Sequence, residues 1–233
     1  MEIALLGFGL LFALLMLGMP VGFGMAIVGF AGFAAIVGTG PASALAGQIV
    51  YDNATNFSFS VLPLFIVMGN LVARSRLSDE LFDAAHAYFG HRRGGLAYAT
   101  VLASGGFGAV CGSSAATAAT MVRVAYPAMR ARGYGQGIST GSIAAGGTLG
   151  ILIPPSTIMI LYGVLTETDI IQLFAAGLIP GAIAILCHFG AIAVVVRLHP
   201  EAAPAGRRVS WRDRARATWR IWGVVVLFLA MMG

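Results

Sequence analysis

Long apolar runs alternate with short arginine-bearing segments along this chain. Residues 3–37 carry no charge. One helix of that length would reach about 50 Å, well past the hydrocarbon thickness of a bilayer. Gly18-Met19-Pro20-Val21-Gly22 falls at the midpoint, so two short spans joined by a tight turn fit better than one kinked, tilted helix. Residues 38–56 hold Asp52 and no arginine, and read as an outside loop with a short surface helix. Residues 57–73 are the next span, interrupted by Pro63 and carrying Asn70 near the inner end.

Residues 74–93 differ in kind. Leu77, Leu81, Phe82, Ala85, Tyr88 and Phe89 recur at helical spacing, with Asp79, Glu80, Asp83 and His86 between them. Ser78 is placed to cap the start, the acids suit the first turn, and Gly90 ends the helix. Too short and too charged to span, it reads as an amphipathic helix at the inner interface; a loop helix packed on protein is the blander reading. Residues 94–121 are uncharged again, about 28 residues, enough for one crossing. A single crossing, however, would put Arg123, Arg130 and Arg132 on the opposite face from residues 74–93. A re-entrant hairpin keeps all these arginines on one face, as the positive-inside rule asks. Two legs of about 12 residues would each reach roughly 18 Å, with the tip at residues 112–117. A basic connector (126–137) follows, then a span over 138–166 broken at Ile153-Pro154-Pro155-Ser156. Glu167-Thr168-Asp169 makes a short acidic outside turn. Residues 170–196 cross back with a kink expected at Pro180-Gly181, 197–220 form a linker, and 221–233 begin another span.

The break at residues 146–156, Gly-Gly-Thr-Leu-Gly-Ile-Leu-Ile-Pro-Pro-Ser, organises the rest. Its glycines loosen the backbone, and Pro154 and Pro155 each remove an amide donor. Carbonyls freed at membrane depth must be buried in protein or face a wet cavity, and a broken helix of this kind marks ion or substrate sites in carriers. The hairpin tip falls at similar depth. Ser113, Ser114, Thr117, Thr148 and Ser156 add hydroxyl oxygens, the neutral ligands a monovalent cation takes. The competing reading is packing, since Gly108–Gly112 and Gly146–Gly150 both fit the small-xxx-small pattern; packing alone does not call for the double proline.

Composition sharpens this picture. The chain is 58% hydrophobic and 10% charged over 233 residues, far below the roughly 25% charge of a soluble domain, which makes it an all-α polytopic membrane protein. The net charge of +5 does not point to nucleic acid, because the basic residues are all arginines clustered in residues 74–93, 123–132 and 197–220. Cys111 and Cys187 read as small buried hydrophobes. No removable signal peptide is read at the N-terminus, and the sequon Asn53-Ala54-Thr55 carries little weight. No carboxylate sits mid-span, so a proton relay through Asp or Glu is not supported. Two other classes deserve weighing. Ser113 or Ser114 with His188 would make an intramembrane serine hydrolase dyad, but the Gly-x-Ser-x-Gly elbow is absent. A non-transporting scaffold subunit is the third class.

Several segments resemble a known family. Pro63-Leu64-Phe65-Ile66-Val67-Met68-Gly69-Asn70-Leu71, Gly94-Gly95-Leu96-Ala97, the tip Gly112-Ser113-Ser114-Ala115-Ala116-Thr117, Gly133-Tyr134, the break at 146–156 and Leu173-Phe174-Ala175-Ala176-Gly177-Leu178-Ile179-Pro180-Gly181 are together similar to the DctM-type large permease of TRAP (tripartite ATP-independent periplasmic) transporters. The resemblance implies a sodium-coupled secondary transporter of elevator type in the bacterial inner membrane, with arginine loops cytoplasmic and the N-terminus periplasmic. It implies as partners a small DctQ-type membrane subunit, a periplasmic DctP-type solute-binding protein, membrane lipids, and an organic acid such as a C4-dicarboxylate or sialic acid. Nucleic acid is not a partner, and the chain is not an enzyme. The sodium ion is implied at Gly112, Ser113, Ser114, Ala115, Ala116 and Thr117 of the tip and Gly147, Gly150, Ile153, Pro154 and Pro155 of the broken helix. Thr117, Thr148 and Ser156 are implied for the substrate. Residues 1–73 would be scaffold spans, 74–93 an interfacial arm helix, 94–166 transport-domain elements, 167–196 a span, 197–220 a cytoplasmic linker and 221–233 the start of a truncated span. Family members have two inverted halves, and these segments match the first. The expectation is therefore a first inverted repeat that does not transport alone.

Overall fold

The computed structural model describes residues 2–56, 61–206 and 208–232. Among them all regular structure is helical, with no strand. The chain forms two compact units, Met1–Phe59 and Ser60–Gly233.

In the first unit the uncharged N-terminal run divides into α1 (Glu2–Met16) and α2 (Val21–Val37). The chain turns at Gly18, whose φ of 82° only glycine adopts freely, and Pro20 then leads into α2. The stretch expected as a loop with a short surface helix is helical almost throughout, a 17-residue α3 (Thr39–Thr55). Its alanines favour helix, and Gly38 at φ 91° makes the corner with no connecting loop.

The second unit opens with α4 (Val61–Arg74) and α5 (Leu77–Phe89), bent by 61° at Ser75-Arg76. Residues 57–60, where the span was expected to start, lie outside the described residues. Pro63 falls in the first described turn of α4, where the missing amide costs little. Ser78 does not cap α5: it is buried at 3% exposure. The N-cap is Arg76, with no side-chain cap bond; one residue earlier, Ser75 Oγ donates to the Val72 carbonyl at 2.7 Å and accepts from the Leu77 amide at 3.2 Å. Gly90 closes α5 through its amide on His86 O.

Next come α6 (Gly95–Cys111), α7 (Ser114–Ala131), α8 (Gln136–Leu152), α9 (Thr157–Thr166) and α10 (Ile170–Leu198). Fourteen of the 17 residues of α6 are buried, so it is the interior helix of the unit, wrapped by α5, α7, α8 and α10. Its apolarity on all sides follows from that position. The α6–α7 pair is a hairpin. Its open end is fixed by the Leu96 amide donating to Tyr134 Oη at 3.2 Å and by Thr100 Oγ1 lying 3.7 Å from Met129 Sδ. Burial pushes the Tyr134 phenol above its ordinary value, opposed by the Leu96 amide and Arg132. The legs run 17 and 18 residues, not 12: α7 continues through Pro127 to Ala131, which shrinks the expected connector to a turn at residues 132–135.

Asp169 caps α10 by accepting from the Ile171 amide at 2.8 Å. The helix continues unbroken past Pro180 for 29 residues. Phe89, Tyr98 and Phe189 join α5, α6 and α10 through one tilted and two edge-on ring contacts, centroids 5.0–6.2 Å apart. A short strap at Pro200–Ala202 and beyond then stitches together the turns that follow α5 and α7. Ala203 O accepts from the Gly94 amide, Ala202 O from that of Gly135, and the Gly206 amide donates to Gly90 O. Beyond it, α11 (Trp211–Arg220) packs on α5, with Tyr88 Oη and Thr218 Oγ1 2.8 Å apart, and α12 (Trp222–Met232) follows. By length and composition, Gln136–Thr166 and Ile170–Leu198 are long and apolar enough to cross a membrane, and the bent α4–α5 pair adds a third only if taken as one span.

Candidate functional site

The hairpin tip is a two-residue break. Cys111 ends α6, Gly112 takes the left-handed conformation at φ 63°, and Ser113 caps α7 by accepting from the Ala116 amide at 3.4 Å. Ser114, Ala115, Ala116 and Thr117 are therefore the first turn of α7 rather than a loose tip. The second break lies across from it. Ile153 leaves α8 in an extended conformation, Pro154 and Pro155 follow through a cis peptide, and Ser156, also extended, leads into α9.

The two breaks touch. The Thr157 amide and hydroxyl both donate to the Gly112 carbonyl, at 3.3 and 2.9 Å. A Cβ on Gly112 would lie 3.1 Å from Pro155 O and 3.2 Å from Thr157 N. Behind the tip, glycines let three helices approach closely. A Cβ on Gly150 would lie 2.6 Å from Thr117 Oγ1 and 2.7 Å from Ser113 O; on Gly147, 2.9 Å from Ala118 Cβ; on Gly108, 2.6 Å from Gly150 Cα. The small-residue packing reading thus holds for Gly108, Gly147 and Gly150.

The oxygens divide into engaged and free. Gly112 O holds the two Thr157 donors, and Ser113 O holds the Thr117 amide and hydroxyl at 3.0 and 2.7 Å. Gly150 O and Ile151 O have no amide four residues on, because both positions are proline. Ser156 is fully buried, and its Oγ has no partner among the described residues. A buried hydroxyl without a partner costs stability, so Ser156 Oγ is the atom here that lacks a ligand.

Not every residue named from the sequence joins this cluster. Ala115 is exposed. Ile153 points its side chain at Gly105 and Gly181. Thr148 is exposed on α8 and donates to Ala145 O at 2.7 Å, whereas Thr117 and Ser156 are fully buried. The three hydroxyls expected to share the substrate therefore do not share one surface in this arrangement. Thr157, which bridges the breaks, and Ser104, buried against Gly146 with a partnerless Oγ, were not picked out from the sequence. Thr157 was legible as the first helical residue after Pro-Pro-Ser; Ser104 shows no signal beyond its glycine-rich setting. Cys111 is buried as expected, with Sγ 3.9 Å from Gly69 O, but Cys187 is exposed.

A hydrolytic dyad does not form. His188 lines a cavity of about 230 Å³ with Val101, Ile138 and Ser142. Ser142 is eight residues, about 12 Å along α8, from Gly150, which is the residue that meets Ser113.

Residues 8–233 match the family described as tripartite ATP-independent periplasmic transporter, DctM component. The C4-dicarboxylate TRAP transporter large permease DctM of Pseudomonas aeruginosa is 37% identical over 185 residues, covering 79% of this chain and 43% of that protein. The ectoine/5-hydroxyectoine large permease UehC of Ruegeria pomeroyi is 33% identical over 224 residues, covering 94% and 52%. The sialic acid large permease SiaM of Vibrio cholerae is 34% identical over 173 residues, covering 74% and 39%. The chain spans about half the length of the curated relatives it matches.

Proposed function

Because the chain belongs to the DctM component family of tripartite ATP-independent periplasmic transporters, an integral membrane family of permeases rather than enzymes, we propose that it forms part of a sodium-coupled importer of small organic acids. The observation that carries this reading is the docking of the hairpin break on the broken helix, Thr157 on Gly112, around the partnerless Ser156 hydroxyl.

Four helix ends meet there: the C-termini of α6 and α8 and the N-termini of α7 and α9. C-terminal ends favour a cation and N-terminal ends an anion, which is the pairing that co-transport of sodium with a carboxylate needs. The residues fit a sodium ion chemically. Ser156 Oγ and the carbonyls of Gly150, Ile151 and Pro155 would hold it, all neutral oxygens, so the ion's own charge would not be cancelled before the anion binds. Bound sodium would supply the free energy of its gradient. This chain's residues do the rest: Thr157 latches the two breaks, Gly108, Gly147 and Gly150 let α6, α7 and α8 close around them, and the prolines keep two carbonyls free.

Tight packing of α6, α7 and α8 also suits an elevator, in which these helices travel as one body. On this reading the arginine segments face the cytoplasm of an inner membrane and the N-terminus the periplasm. The working assembly includes a DctQ-type small subunit and a DctP-type solute-binding protein. The relatives are named for dicarboxylates, sialic acid, ectoines and isethionate, so the solute class here is a small polar molecule bearing a carboxylate or sulfonate. Uptake by proteoliposomes holding the complete assembly tests the proposal. A sodium gradient should drive accumulation of the loaded solute. Equal accumulation with potassium in place of sodium would refute it.

A further inference from the structure

The elbow between α4 and α5 encloses a cavity of about 400 Å³ lined by Arg74, Arg76, Ser78, Asp79, Thr120 and Arg123. Nothing in the transport reading uses it. The three arginines make no ion pair among the described residues. Arg123 reaches only the Ala73 carbonyl, at 3.5 Å. Asp79 is the sole carboxylate on the lining, so the cavity carries a surplus of two positive charges (three guanidiniums less one carboxylate).

The hydroxyls are the second, independent sign. Ser78 is 3% exposed and Thr120 2%, yet neither side chain makes a hydrogen bond among the described residues, and both line the cavity. Helical threonines ordinarily bond back to the carbonyl four residues earlier, as Thr117 does. Neither oxygen is among the fully enclosed polar atoms without a partner, so both hydroxyls open onto the cavity and are available to a ligand there. Two neutral donors beneath three guanidiniums match a group with several strong acceptor oxygens and a negative charge.

We propose that this elbow binds a phosphate oxyanion. A phospholipid headgroup and a free phosphate share that chemistry. The setting favours the lipid: Leu64, Val67 and Leu71 recur at helical spacing along α4 toward Arg74, Val122 precedes Arg123 on α7, and all four are exposed and apolar; basic pockets at the ends of membrane helices hold anionic headgroups. Bound there, the phosphate would bridge α4, α5 and α7 and set the bend.

Native mass spectrometry of the full chain in detergent tests this. Phosphatidylglycerol and phosphatidylcholine are offered at equal concentration, with inorganic phosphate as competitor. The expected result is preferential retention of phosphatidylglycerol. Arg74→Gln, Arg123→Gln and the near-isosteric Thr120→Val should lower that retention, roughly tenfold for each arginine, the loss of a charge-assisted bond. Arg216→Gln, on α11, should not. Selective capture of inorganic phosphate without lipid preference would make the ligand a free phosphate and still support the site. Equal retention of both lipids with no phosphate binding overturns it. So does an Arg216→Gln effect as large as those at the elbow. Unchanged helicity by circular dichroism qualifies each variant.

Discussion

At Gly150 a single hydrogen in place of a methyl group decides whether two helices can meet. A Cβ there would lie 2.6 Å from Thr117 Oγ1 and 2.7 Å from the Ser113 carbonyl, a backbone atom that cannot move aside cheaply. Gly150→Ala should destabilise the purified chain by about 1–3 kcal/mol, the usual cost of overpacking, read as a lower unfolding midpoint. Gly141→Ala is the control: nothing lies within 4 Å of that position, so it should be neutral or stabilising by up to about 1 kcal/mol. Equal losses would mean that helix crowding at the tip is not what the glycines relieve. At this scale the sequence was partly legible. Gly112 and the prolines announced themselves by chemistry. Ser75 rather than Ser78 receives the first amide of α5 because the bend places Ser75 outside the helix, and a bend angle is not written in residue spacing. Burial also escaped the sequence reading: Thr148 and Ser156 carry the same kind of hydroxyl, one exposed and one enclosed.

Among elements, the broken helix and the hairpin carry the account. Pro154→Ala with Pro155→Ala would return amides opposite Gly150 O and Ile151 O and let α8 run toward α9. In the complete assembly the half-saturating sodium concentration for uptake should rise several-fold, while solute affinity of the isolated binding protein stays fixed. Unchanged sodium dependence would separate the break from ion binding. Helix α5 offers a pH test. Burial first, and then the nearby Arg132 cation, hold the His86 imidazole below its ordinary 6.5, with Asp83 opposing in part. A folded value below the unfolded one means that this contribution is present in full above about pH 6.5 and is lost as pH falls through the lower, folded value. The unfolding midpoint should therefore drop on acidification below pH 6.5, and His86→Gln should flatten that portion of the profile. Both breaks were legible from Gly and Pro, and the hairpin from the placement of arginines. The leg lengths were not, since Pro127 sits inside α7 without ending it. Nor was the extent of α3, read as a loop with only a short helix because its polar residues suggested solvent.

Over the whole molecule, the second unit is built around α6, whose buried residues reach nearly every side. The turns that follow α5 and α7 are tied to residues 202–206 by backbone hydrogen bonds. This construction packs α5–α8 and the second half of α10 around one core. The family accounts for why so much of the apolar surface is exposed here. The relatives are about twice as long, and helices such as α10 keep Ile171, Ile179 and Leu186 exposed, available to lipid or to further protein. The central claim, an ion site where the two breaks meet, rests most directly on Ser156 Oγ. In proteoliposomes containing the complete assembly, initial uptake is measured against sodium concentration for the unmodified protein and for Ser156→Ala. The account predicts a half-saturating sodium concentration raised about tenfold, the loss of one ligand oxygen worth roughly 1–2 kcal/mol, with maximal uptake recovered at high sodium. An unshifted sodium curve with Ser156→Ala would contradict it.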